Sequence, residues 1–218
     1  MAIPSMSTEV KICGLSAVDD IDVAIAGGAD YIGLVFFEPS PRNVTLELGQ
    51  QLAEHIRGRS KIVALTVDAD DALLAEIASV IRPDIVQLHG SENHERIGDV
   101  KRITGAKALK VVKVATIDDA KNALMFDGIA DRILFDAKAP PDSPIPGGNG
   151  LRFDWKVLEA VNGQFDYMLS GGLNPENVRE AIRLTGASAV DVSSGVEKSP
   201  GEKDPARIRA FLEAAKGV

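Results

Sequence analysis

The chain lacks the features that mark several broad protein classes. One cysteine in 218 residues excludes an internal disulfide framework and fits a reducing compartment. Its three histidines are scattered without metal-ligand spacing, so no metal is expected. A basic excess is also missing. The net charge of -8 argues against nucleic acid or an anionic membrane as the main partner. An anionic small molecule stays open, because a local nest of backbone N–H groups outweighs the global charge. No apolar run approaches the roughly 20 residues that a membrane span needs. The opening MAIPSMS has neither the basic nor the apolar region of a signal peptide, and the expected location is the cytoplasm. There is no low-complexity tract and no early dinucleotide fingerprint, since Gly27-Gly28 ends a helical pattern instead of opening one.

What is present is an ordinary globular balance, 45% hydrophobic and 26% charged, on a length that suits one large α/β domain. The organising stretch is Leu169 to Glu197. It carries two glycine-bearing turns, Ser170-Gly171-Gly172 and Ser193-Ser194-Gly195, each after a short apolar strand, with helical spacing between them. Upstream, the same alternation repeats. Strands are expected near 9–13, 30–37, 61–67, 84–88, 107–114 and 130–136, and helices follow each of them. Ser16 and Thr45 are placed as helix caps, and the helix over 70–81 stops before Pro83. Near-continuous apolar strands alternating with helices imply a parallel sheet, and eight such units imply a closed (β/α)8 barrel, the TIM barrel, as a single domain. An open doubly wound sheet is the alternative. Residues 1–7 are expected as a short flexible segment ahead of a barrel over 8–218, with Ala137 to Arg152 as an active-site lid.

In such a barrel, chemistry sits at the C-terminal ends of the strands, and a phosphate is held by the turns after strands seven and eight. Those positions select Cys13, Arg42, His89, Asp136 and Asp191, with Gly171, Gly172, Ser194 and Gly195 as a phosphate cradle. A thiol and a carboxyl group at one barrel mouth suit acid–base chemistry on a phosphorylated sugar. By position alone, plainer roles stay open. Cys13 also reads as a small core residue, Arg42 as a solvated loop charge, and His89 as a hydrogen-bonded turn residue. Asp136 reads equally as a cap or a partner for Lys138. Asp191 lies in an apolar strand, where a carboxylate needs a partner. Glu92, His94, Glu95 and Arg96 read as a solvated helix face.

Six segments, in order, resemble the phosphoribosylanthranilate isomerases. They are Lys11-Ile-Cys-Gly-Leu, Ser40-Pro-Arg, Gln87-Leu-His-Gly, Asp136 with Pro146-Gly-Gly-Asn-Gly-Leu-Arg-Phe-Asp-Trp, Leu169-Ser-Gly-Gly-Leu-Asn-Pro-Glu-Asn-Val, and Val190-Asp-Val-Ser-Ser-Gly-Val-Glu with Pro200-Gly-Glu-Lys-Asp. The resemblance implies an Amadori rearrangement in tryptophan biosynthesis. It implies Asp136 as general acid, Cys13 as general base, Arg42 against the anthranilate moiety, and Asp191 ordering the site. A basic thiol needs its thiolate stabilised, and Lys11 is one source. No cofactor is expected, because proton transfers complete the reaction. The expected partner is a phosphoribosyl small molecule, with the barrel as monomer or homodimer. Two alternatives are another phosphate-binding barrel isomerase, which would use two aspartates, and a catalytically silent phosphoribosyl-binding barrel.

Overall fold

A computed structural model describes residues 8–139, 147–148 and 150–217. The segment 1–7 and half of the expected lid, residues 140–146 and 149, lie outside the described residues. Eight parallel strands close into a barrel in sequential order. They are β1 Glu9–Cys13, β2 Tyr31–Phe36, β3 Lys61–Thr66, β4 Ile85–Leu88, β5 Lys107–Val114, β6 Arg132–Ala137, β7 Tyr167–Leu169 and β8 Ala189–Val192. Closure is made by β1 against β8, with Lys11 level with Asp191. The open-sheet alternative is therefore excluded.

Side-chain alternation along each strand divides the core in two. Outward residues such as Val10, Ile12, Ile32, Leu34, Phe135 and Val190 join the large core beneath the helices. Inward residues Tyr31, Val63, Leu109, Val111, Leu134, Met168 and Ala189 fill the lumen. Above them, Cys13, Val35 and Leu65 form a smaller apolar layer at the C-terminal mouth. The inward set of β1 is Glu9, Lys11 and Cys13, so the alternation that buries Val10 and Ile12 also aims the thiol into the mouth.

The surrounding helices are α1 Val18–Ala26, α2 Leu46–Ile56, α3 Asp71–Glu76, α4 His94–Thr104, α5 Ile117–Lys121, α6 Val178–Thr185 and α7 Pro205–Lys216. Thr45 caps α2 by accepting from the Leu48 N–H at 3.2 Å. Ser16 does not cap α1. That helix starts at Val18 behind Ala17, with no side-chain cap. The helix expected over 70–81 begins behind Asp70, then widens at Ile77–Ile81, where Arg82 N–H reaches five residues back to the Ile77 carbonyl at 3.1 Å. A short 3-10 segment, Trp155–Val161, stands where a helix follows β6. A two-stranded hairpin, β9 Glu197–Ser199 with β10 Glu202–Lys203, was not foreseen and lies outside the barrel.

At the N-terminal rim, one device recurs. Asp30, Asp84 and Asp131 each precede an even-numbered strand and accept the second N–H of the preceding odd strand, at 2.7, 2.7 and 2.8 Å. These bonds satisfy donors that the barrel ladder leaves open. At the opposite rim, Glu92 departs from expectation. It is buried rather than part of a solvated face, and its carboxylate pairs with buried Lys110 at 2.7 Å. Its other oxygen accepts the Asp68 and Gly90 N–H groups, which fixes the turn after β4.

Removing one partner of a buried ion pair strands the other charge in the core. Lys110→Met should therefore lower the unfolding free energy by about 3–5 kcal/mol, and the added change Glu92→Gln should restore most of it. Denaturant titration of the two variants checks this, and an equal loss in both would show that packing of Lys110, not its charge, matters.

Candidate active site

One pocket at the C-terminal mouth gathers residues from, or just after, every barrel strand but β5. Its empty space, about 770 Å³ with the solvent at its opening included, is an open cleft in the barrel mouth rather than an enclosed cavity. Of the residues singled out from the sequence, Cys13, Arg42, His89, Asp136, Asp191, Gly171, Gly172 and Ser194 line it together. Gly195 does not line it.

One wall is built on β1. Cys13 is buried, and so is Lys11, whose Nζ sits 2.8 Å from Asp191 Oδ1. Asp191 Oδ2 accepts from the Ser170 hydroxyl at 3.3 Å, which gives the carboxylate in the apolar strand its partners. Gly33 on β2 leaves room for this group, since a Cβ there would stand 3.0 Å from Cys13 Sγ and 3.2 Å from Lys11 Cε. Burial pushes the Lys11 pKa down, but Asp191 and Cys13 outweigh it, so the amine is held above its ordinary value. It stays charged. For Cys13, burial pushes the thiol up and Asp191 adds to this, while Lys11 and Lys203 pull it back. The net direction is upward. The thiolate is thus costly in the empty site, though a cation is in place to receive it.

A second wall joins β6 to β4. Asp136 is buried at the end of β6, and its Oδ1 accepts the Ala137 N–H at 2.9 Å. Its Oδ2 lies 3.3 Å from Nε2 of buried His89, a contact too poorly aligned to satisfy that nitrogen. With Gln87 Nε2 as donor at 3.3 Å, His89 Nδ1 accepts, which leaves Nε2 as the ring donor on the side of Asp136. Lys138, the plainer partner for Asp136, instead pairs with Asp119 at 3.2 Å. His89 is a pocket residue rather than only a turn residue. Main chain passes directly over this pair, for a Cβ on Gly147 would stand 2.5 Å from His89 Nε2 and 2.6 Å from Asp136 Oδ2.

Arg42 forms the third wall. It is buried rather than a solvated loop charge, and its Nε and Nη2 donate to the two oxygens of Glu197 at 2.7 and 2.8 Å. Burial acts against its charge, yet Glu197 raises its pKa overall. Glu197 is in turn held by Lys203 at 2.8 Å, and Lys203 also donates to the Ser193 carbonyl and hydroxyl at 3.0 and 3.2 Å. Burial pushes the Lys203 pKa down, and Glu197 only partly offsets this.

The glycine turns close the remaining side. Gly171 and Gly172 have φ of +89 and +65, and a Cβ on Gly171 would meet the Ala137 nitrogen at 2.7 Å. Gly195 packs the two turns together. A Cβ there would overlap the Leu173 carbonyl oxygen, and its own carbonyl accepts from Arg207 Nε at 3.0 Å. Its role is to let the turns approach, with Ser194 exposed to the pocket in front of it. Among the described residues, no cluster of three or more His, Cys, Asp or Glu has metal-holding geometry.

Sequence reasoning overlooked Glu197, Lys203 and Gln87. Alternation along β4 points Gln87 inward beside His89 and could have revealed it. Glu197 is 155 positions from Arg42, and no local signal connects them.

The family model for N-(5'-phosphoribosyl)anthranilate (PRA) isomerase matches residues 10–214. An N-(5'-phosphoribosyl)anthranilate isomerase from Sinorhizobium fredii is 51% identical over 97% of this chain and 94% of its own. One from Rhodopseudomonas palustris is 50% identical over 98% of this chain and all of its own. Among solved structures, the isomerase from Thermotoga maritima superposes with a TM-score of 0.87 at 34% identity, covering 97% of this chain and 100% of that one. A phosphoribosyl anthranilate isomerase in complex with reduced 1-(o-carboxyphenylamino)-1-deoxyribulose 5-phosphate gives 0.85 at 33%, with the same coverage. The match runs along the whole barrel, and the chain belongs to the N-(5'-phosphoribosyl)anthranilate isomerase family.

Proposed function

We propose that the mouth pocket converts N-(5-phosphoribosyl)anthranilate to 1-(2-carboxyphenylamino)-1-deoxyribulose 5-phosphate, the isomerisation of tryptophan biosynthesis, by general acid–base catalysis. The observation that carries the assignment of roles is a thiol beside a buried ammonium group and a carboxyl group against an imidazole, opening onto one pocket. Asp136 protonates the furanose ring oxygen, the C1–O bond breaks, and the nitrogen lone pair forms the Schiff base. Cys13 then takes the proton from C2. The electron pair left by that C–H bond forms the C1–C2 double bond of an enolamine, and the iminium π electrons return to nitrogen. Tautomerisation of the enolamine gives the ketone. Every step moves only protons and electron pairs within the substrate, so the acid and base of the chain suffice.

The other pocket groups divide the binding. Backbone N–H groups of the turns at Gly171, Gly172 and Ser194 receive the phosphate, which glycine permits by exposing the main chain, while Gly195 acts behind them by letting the two turns pack. Arg42 meets the anthranilate moiety, and His89 holds Asp136. Asp191 acts through Lys11, keeping the cation beneath the thiol where it favours the thiolate as the proton is taken. A free, buried thiol in the pocket supports a reducing cytoplasmic setting. A monomer or homodimer is proposed; the Thermotoga maritima relative is described as dimeric and also in monomeric form.

A positioned acid or base contributes about 10²–10⁴-fold. Cys13→Ala and Asp136→Asn should each reduce turnover of freshly generated phosphoribosylanthranilate, followed by its fluorescence, by about that factor while remaining folded. Full activity in Cys13→Ala would remove the thiol from the mechanism, and a wild type that binds product without turnover would favour a silent barrel.

The raised thiol pKa sets a pH dependence, because the basic form of Cys13 accumulates only on the alkaline side. The thiolate absorbance of Cys13 in the free enzyme should therefore grow in only above the ordinary thiol range, about 8.5. Full thiolate absorbance below neutral pH would instead mean a preformed thiolate.

A further inference from the structure

The setting of Arg42 restricts how it can meet a ligand. Its stem lies on Gly14 of the turn after β1, where a Cβ would stand 2.6 Å from Arg42 Cδ. Its head is fixed from the other side. Guanidinium pairs with a carboxylate bidentately through two adjacent N–H donors, along the Nε–Nη2 edge or the Nη1–Nη2 edge. Glu197 occupies the first edge, taking Nε at 2.7 Å and Nη2 at 2.8 Å. The second edge is also compromised, since Nη2 donates to the Gly148 carbonyl at 3.2 Å. Among the described residues, Nη1, which lies against Gly148, and the flat face of the group take no hydrogen-bond partner.

Glu197 can impose this because it is itself held. Lys203 pairs with its Oε1 and anchors to Ser193, in the turn that carries Ser194. Burial works against the charge of Glu197, but Arg42 and Lys203 keep it below its ordinary value, an acceptor throughout the working pH range.

We infer that Glu197 is a specificity-determining positioning residue: by occupying the fork of Arg42, it makes the guanidinium meet the aromatic acid of the substrate with Nη1 and its face instead of as a bidentate carboxylate clamp. This rests on the isomerase function proposed above. A planar cation stacked on an aryl ring is a favourable contact in its own right. It also reads the flat ring as well as the charge, which a fork spent on the carboxylate would not. The chain from Ser193 through Lys203 and Glu197 to Arg42 further sets the aryl-binding group in register with the phosphate turn, so both ends of the substrate are located by one framework.

The test is a kinetic cycle on intact protein with phosphoribosylanthranilate as substrate, using Glu197→Gln, Arg42→Lys and both together. Glu197→Gln should raise KM about tenfold or more, as expected for loss of a charge-assisted anchor, with kcat within about threefold. Arg42→Lys, lacking both fork and face, should raise KM at least as far. The double variant should be no worse than Arg42→Lys alone, because both changes act through one guanidinium. Wild-type KM in Glu197→Gln, or effects that multiply in the double variant, would overturn the assignment. A purely structural role would lower the folded fraction and kcat but leave KM in place. Should Glu197→Gln fail to fold with Lys203 left unpaired, Glu197→Gln with Lys203→Met removes both charges and carries the same measurement. Absence of turnover by the wild type would refute the isomerase function itself, a separate result.

Discussion

The constraint on which the site depends is a positive charge without access to water. Lys11 is 0% exposed in the lumen, and an ammonium there is tolerated only with a partner at contact distance. Asp191 supplies it from β8, across the seam where the barrel closes. The ion pair therefore couples closure to chemistry: only when β1 and β8 are in register does the cation beneath Cys13 meet its partner. Gly33 is part of the same requirement, because the group needs the volume that a side chain on β2 would occupy. An apolar residue at position 11 could pack the lumen, but it would leave the thiol with burial alone and no opposing charge from below.

The same logic of paired burial recurs around the mouth. Glu92 with Lys110 holds the turn after β4, and with it the backbone from which His89 reaches Asp136. Glu197 lies between Arg42 and Lys203, so three charged groups share one enclosed volume. Each network satisfies its charges with partners far apart in sequence. The mouth is thus rigid where it presents charge, and an acid–base site gains from that because its groups need not reorganise as charge develops.

Much of this was legible in the chain. Strand and helix order, the barrel, the two glycine turns and every lining residue named from strand ends follow from local patterns of period two and 3.6. Boundaries shifted by a residue or two, as at Val18, where Ala17 rather than Ser16 precedes the helix. The failures share a cause. Glu92 looked solvated because its helix neighbours are polar, and only the position of Lys110 on the next strand buries it. Glu197 and Lys203 were given no role because Arg42 comes from the far end of the chain. His89 was ambiguous for the same reason, since its partner Asp136 lies two strands away. Local sequence determines which face a residue takes, while only closure determines what it faces.

The rim away from the pocket has its own consequence. Three times a strand pair is tied by the same aspartate bond, at Asp30, Asp84 and Asp131, and Asp30 also receives Lys216 from α7 at 2.6 Å. A floor assembled from one recurring two-strand unit owes nothing to the ligand. Mutation can then explore the loops above without renegotiating the foundations beneath, and stability and reactivity are inherited as separate traits on opposite ends of the same strands.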